Sequence, residues 1–399
     1  MIVDRPRIAV ATAGACAFLN LYSPQAVLPQ LADSFGVSAA AAGGVVGVAT
    51  LAVAGSAPFV GLLSDFLSRK LTAVLAMCLL AAPTLMLAHS HSLNEILFWR
   101  FVQGLLVPAV FTPTVALVGE RWSPREAADV MGLYVAGSAL GGFLGRFLPA
   151  ILADSLGWRS GLVALAPITL AAAAVVAAWL PSGAAKTSAP VERPRLADAF
   201  AHLRDPAIIA TCFAGFAVLF SIVAVFTYIN FRLAPAPYGF TASDLGLIFL
   251  VYPIGALAAP AAGPLARRLG RRRTMAAATL VAGLGLVATL QTGLPAIVAG
   301  LALFVIGIFI MHSTAMGFVG RAARRAKASA LGLYVCVYYL GGAVGAILPG
   351  LLVWDRAGWT GCVALVAAAL SAAGALSWWA WWDEPAEDAA GVAALVPAE

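Results

Sequence analysis

Residues 131–150 read MGLYVAGSALGGFLGRFLPA, and residues 331–350 read LGLYVCVYYLGGAVGAILPG. At an offset of 200 the landmarks coincide: Gly132 with Gly332, Tyr134 with Tyr334, Gly141–Gly142 with Gly341–Gly342, and Pro149 with Pro349. Two copies of one apolar, glycine-notched segment, half a chain apart, indicate two similar halves in parallel order. One position departs from the pattern. Arg146 stands where its twin has Ala346, so whatever the arginine does is done in one half only.

Working outward, 62% of the residues are hydrophobic and only 11% charged, against about a quarter charged in soluble domains. The charges cluster between long apolar runs, and about 20 apolar residues cross the ~30 Å hydrocarbon layer as a helix. Runs bounded by charge, Gly and Pro predict an all-α membrane protein of twelve transmembrane helices in two six-helix, pseudo-symmetric halves. The expected spans are 8–30, 43–64, 72–89, 95–118, 129–152, 159–180, 207–231, 244–266, 274–292, 296–319, 329–352 and 360–381. The expected organisation is an N-terminal bundle over 1–180, a polar linker over 181–206, a C-terminal bundle over 207–382 and an acidic tail over 383–399. The N-terminal apolar run reads as a retained first span, and the five cysteines, scattered through apolar runs, as packing residues.

Lysine and arginine set the orientation. Of the 24 basic residues, 19 fall in one alternating set of connections, against Arg159, Arg232 and Arg356 in the other. Short basic loops stay cytoplasmic, so both termini are expected inside, in a bacterial inner membrane. The net charge of +6 then needs only anionic lipid as its partner, and nucleic acid is not required.

Two connections carry related patterns, GLLSDFLSRK (61–70) and GPLARRLGRRRT (263–274). They resemble the loop signatures after the second and eighth helices of the major facilitator superfamily, although the second has Arg267 in place of an acidic residue. The stretch LFWRFVQGLLVPA (97–109) is similar to the fourth-helix signature of proton-coupled exporters in that superfamily. GSALGGFLGR (137–146) resembles its fifth-helix antiporter motif, with Gly142 where a proline is usual, and residues 312–342 resemble the tenth-to-eleventh-helix region of arabinose-efflux-permease-like exporters. The resemblance implies the major facilitator fold, a conformational role for the loop residues Gly61, Asp65, Arg69 and Lys70, and a coupling role for Arg100 and Gln103.

Ionisable groups inside the bilayer are functional candidates because each costs at least ~2.5–3.5 kcal/mol to place there. Arg100 and Arg146 are the two basic residues inside expected spans, both in the outer third of the first half. Each has a plainer reading beside the functional one. Arg146 can snorkel outward toward Asp33 or Asp154, and Arg100 can tie its helix to backbone carbonyls of the first. No Asp or Glu lies mid-span, which points away from cationic substrates. His312, the one histidine away from the end of a span, has an unperturbed pKa of ~6.5 suited to carrying protons, with Asp33 and Asp65 as alternative titrating groups at the two mouths. Asn20, Tyr22 and Gln25 on the first span, with Tyr338 and Tyr339 on the eleventh, form an expected polar-aromatic lining; ordinary interhelical hydrogen bonding is the competing account.

These readings converge on a secondary-active transporter working by alternating access, in exchange for protons, that exports a small polar, amphiphilic or anionic compound such as a sugar-like molecule, organic acid or drug. An uptake symporter or uniporter for a small organic anion is the alternative. A membrane-embedded enzyme would need an interfacial catalytic cluster, and none is legible; His89 and His91 near Glu95 amount at most to an adventitious metal site. No GxxxxGK[ST] loop provides for ATP. The expected partners are the solute, protons and lipid, with the chain a monomer, no cofactor and no metal.

Overall fold

The computed structural model describes residues 4–63, 67–182, 201–323 and 325–381, and every regular element among them is helical. The helices follow the expected spans. The first, α1, runs over Arg5–Leu21 and continues through a 3-10 turn, Gln25–Val27, into a short helix, Leu28–Phe35. Then come α2 (Ala39–Leu63), α3 (Arg69–His89), α4 (Leu93–Arg121), α5 (Pro124–Leu156) and α6 (Trp158–Trp179). The second set is α7 (Pro206–Leu233), α8 (Ala242–Leu269), α9 (Arg271–Ala288) and α10 (Leu294–Ala322). It ends with α11 (Lys327–Pro349, running through a π turn, Gly350–Trp354) and α12 (Asp355–Ala380).

Among the described residues, nine helical stretches are long and apolar enough to cross a membrane, and one of them, Lys327–Ala380, spans 54 residues. That stretch holds both α11 and α12; Gly358, at a φ of 52°, breaks the helical run just inside α12. Divided α1 and arginine-led α9 are not among the nine. Most of the expected linker, and the whole of the expected tail, lie outside the described residues, as does Asp65.

The glycines of the duplicated segment do the same work in both halves. A β-carbon on Gly141 or Gly145 of α5 would collide with the Ala15 or Leu19 carbonyl of α1. One on Gly341 or Gly345 of α11 would collide with the Phe216 or Phe220 carbonyl of α7. Small residues let membrane helices approach backbone to backbone, where no hydrophobic force drives them together.

The α2–α3, α4–α5, α8–α9 and α10–α11 connections gather the arginines and lysines at one end of the molecule. There Arg69, in the first turn of α3, makes a two-pronged ion pair with Glu120 at the end of α4, its Nε donating to Oε2 at 2.7 Å. Toward the opposite end the two halves touch. Gly43 of α2 lies under the Ala346 carbonyl of α11, Gly350 meets Ala40, and Gly246 of α8 packs on Ala150 and Phe147 of α5.

Candidate functional site

The break in α1 is written in its prolines. Pro24 has no N–H to give to the carbonyl four residues back, which leaves the Asn20 oxygen without its helical donor. The Gln25 N–H turns instead to the Tyr22 carbonyl at 3.0 Å, so Leu21 loses its partner too. Arg100 takes up both oxygens: Nη1 donates to Asn20 O at 3.0 Å and Nη2 to Leu21 O. Its Nε donates to Val45 O of α2 at 2.9 Å and Nη1 also to Gln103 Oε1 at 2.6 Å. Four of the five guanidinium donors are thereby engaged, at the negative end of a helix dipole, by a side chain with no exposed surface. Each hydrogen bond to a charged group contributes roughly 1.5–3 kcal/mol, together enough to offset the cost of an intramembrane charge.

Around this cap runs a closed polar network within the first half. Asn20 donates to Thr169 Oγ1 at 3.0 Å and to Cys16 O at 2.9 Å, and accepts from Thr84 Oγ1 at 2.9 Å. Gln103 donates to the same Thr84 at 2.8 Å. Asn20, Arg100 and Gln103 therefore sit inside one bundle, turned away from the other.

Arg146 is placed differently. Pro29 cannot supply an N–H to the Gln25 carbonyl, and Asn230 of α7 donates to that oxygen at 2.7 Å. The Gln25 side chain donates to Thr227 Oγ1, also on α7, at 3.2 Å. Its Oε1 accepts from Arg146 Nε at 2.8 Å. Gln25 is thus a junction between α1, α5 and α7. The Arg146 guanidinium carbon lies 4.4 Å from the Tyr22 ring centre, 4.7 Å from Phe249 and 4.8 Å from Tyr252. The last two belong to α8, so the arginine is enclosed by both halves rather than reaching outward. Such cation–π contacts contribute about 0.5–2 kcal/mol each. Apart from the Gln25 bond, its one further hydrogen bond is to Gly142 O at 2.6 Å, so three of five donors meet no hydrogen-bond acceptor among the described residues. Nearby, Tyr252 is half-buried and its hydroxyl is shut from solvent with no hydrogen-bond partner among the described residues, a state that costs about 1–3 kcal/mol.

The tyrosine pair of α11 faces the same region. Tyr339 stacks on Phe111 of α4 across the two halves, with ring centres 6.4 Å apart and planes 13° apart. Tyr338 is half-buried, its ring centre 4.8 Å from that of His312 on α10 and 5.3 Å from that of Tyr339. His312 Nδ1 is 3.2 Å from the Tyr334 hydroxyl.

The structure therefore packs Tyr22, Gln25 and Arg146 together, sets Tyr338 against Tyr339 and His312, and holds Asn20, Arg100 and Gln103 in the network of the first half. Asp33 is exposed on the short end helix of α1. The snorkelling partners weighed for Arg146 do not reach it; Asp154 instead accepts the Ala242 and Ser243 N–H groups at 2.9 and 3.0 Å. Of the loop residues, Gly61 lies in the last turn of α2, while Arg69 and Lys70 open α3. Sequence reading missed Thr227, Asn230, Phe249 and Tyr252. Asn230 lies next to the expected end of its span and looks interfacial there; Phe249 and Tyr252 look like ordinary lining, and Pro253 was their one signal.

The family model of the Major Facilitator Superfamily matches residues 10–234 and again 233–394. The inner membrane transport protein YnfM of Escherichia coli is 33% identical over 364 residues, covering 91% of this chain and 87% of that protein. The MFS-type transporter YybF of Bacillus subtilis is 30% identical over 357 residues, 89% of this chain and 88% of its own. In fold, the chain resembles a bacterial homologue of the human lysosomal transporter Spinster in its inward-facing, occupied conformation. The TM-score is 0.77 at 14% identity, over 94% of this chain and 96% of that one.

Proposed function

The chain belongs to the Major Facilitator Superfamily, and from that premise we propose that it is a proton-coupled exporter of a small polar, amphiphilic or anionic compound, working by alternating access between its two halves. The observation that carries this reading is Arg146, a buried cation at the junction of the halves that keeps three donors free within an aromatic enclosure. Transporters of this build place substrate near mid-membrane between the repeats, and an unneutralised guanidinium there favours an acceptor-bearing solute over a cation. Gln25, Tyr22, Tyr338 and Tyr339 complete the site. His312, half-buried against Tyr338 and within reach of the Tyr334 hydroxyl, is the proton-coupling group. The basic end faces the cytoplasm of a bacterial inner membrane, with both termini inside, so the closed seam is the outer gate and the site is reached from within.

Flux in proteoliposomes tests this. Organic acids, sugars and drugs should exchange against an imposed pH gradient in at least one case, with Arg146→Gln abolishing the flux and His312→Gln uncoupling it from the gradient. Solute movement indifferent to the gradient would remove the coupling. Accumulation in inside-out vesicles, rather than right-side-out ones, is the result expected for export.

A further inference from the structure

The proposed site offers donors and flat rings, and that combination names a substrate class. The three unused Arg146 N–H groups and the Tyr252 hydroxyl can all donate, and the Tyr252 ring lies against the guanidinium itself. Among the described residues no carboxylate forms an ion pair with Arg146; its guanidinium faces the rings of Tyr22, Phe249 and Tyr252. A cluster of donors around a planar, fixed charge matches a group with two acceptor oxygens, because guanidinium and carboxylate meet through parallel hydrogen bonds. The Tyr22 ring packs on the guanidinium at 4.4 Å, and on α11 the rings of Tyr338 and Tyr339 meet edge to face at 5.3 Å, with Tyr338 half-buried and therefore reachable by a solute. Rings prefer offset or edge-on aromatic neighbours, which an aliphatic acid cannot supply.

We infer that Arg146 and Tyr252 form a two-point clamp for the carboxylate of an aromatic acid whose ring rests among Tyr22, Tyr338 and Tyr339. This inference rests on the transporter reading above and narrows it. A sugar lacks the charge, benzylamine carries the wrong one, and acetate lacks the ring.

Equilibrium binding of four probes to the purified full-length protein in detergent, by titration calorimetry, tests the class without any mutation. Benzoate should bind about tenfold or more tightly than benzyl alcohol or acetate, and benzylamine should be the weakest. Equal affinities for benzoate and benzyl alcohol, or a preference for benzylamine, overturn the clamp. Among variants that elute as monodisperse protein, Tyr252→Phe should weaken benzoate about three- to tenfold and leave benzyl alcohol unchanged. Arg146→Lys should weaken it further, since an ammonium loses the planar fork. A Tyr252→Phe protein with unaltered benzoate affinity refutes the second point of the clamp. In proteoliposomes the two readings separate: gradient-driven flux of some other solute, with none of benzoate, overturns the clamp and leaves the transporter standing. Benzoate binding with no gradient-driven flux of any solute does the reverse.

Discussion

At the scale of single residues, two buried arginines in one half have opposite states. Arg100 has four donors engaged, two of them by the carbonyls of Asn20 and Leu21 left open at the Pro24 break; Arg146 has two. Arg100 is therefore expected to act first on stability. Lysine keeps the charge but cannot span α1 and α2 with a rigid fork, so Arg100→Lys should destabilise the protein by roughly 3–6 kcal/mol, about two lost charge-assisted bonds. Denaturant titration in mixed micelles measures this. Unchanged stability with lost transport would instead make Arg100 a participant in coupling, the role its sequence resemblance implies. The sequence exposed both arginines because a charge inside an apolar span is conspicuous. It could not rank them, since the ranking depends on which carbonyls lie within about 3 Å.

At the scale of elements, helices are positioned by what their backbones lack. Pro24 and Pro29 free two carbonyls on α1, of which one is claimed within the first half and the other by Asn230 of the second. Glycines matter only where another backbone arrives. Gly141→Ala and Gly341→Ala should each destabilise strongly, since the new methyl overlaps the Ala15 or Phe216 carbonyl and the helices must part. Gly132→Ala and Gly332→Ala, with nothing within 4 Å, should be neutral or stabilising by about 0.5–1 kcal/mol. Thermal unfolding of the four variants side by side checks this contrast. The sequence showed all four glycines repeating at the same offset; only the packing separates those that admit a neighbouring helix from those that face open space. Likewise, α8 reads as one continuous span in sequence, yet it turns 3-10 at Phe249–Val251 ahead of Pro253.

At the scale of the whole molecule, the halves are joined away from the basic end through Gln25 with Thr227 and Asn230, through α2 on α11, and through Asp154 on the first turn of α8. A carboxylate accepting N–H groups at a helix N-terminus gains from the dipole as well as the bonds. Asp154→Asn should weaken this closure by about 1–1.4 kcal/mol, a shift of several-fold to tenfold in the closed-to-open ratio. The rate at which a membrane-impermeant thiol reagent modifies Leu245→Cys, a buried position nearby, should rise accordingly, and an unchanged rate would remove Asp154 from the gate. Duplicated segments, span lengths and loop charges determined the all-helical membrane class, because these follow from periodicity and composition along the chain, while the family was legible in the loop and helix motifs that resemble it. The assembly of Tyr22, Gln25, Arg146, Phe249, Tyr252 and Tyr338 was decided only in three dimensions. Those residues come from α1, α5, α8 and α11, and no local rule of sequence records which face of a membrane helix is turned toward another half.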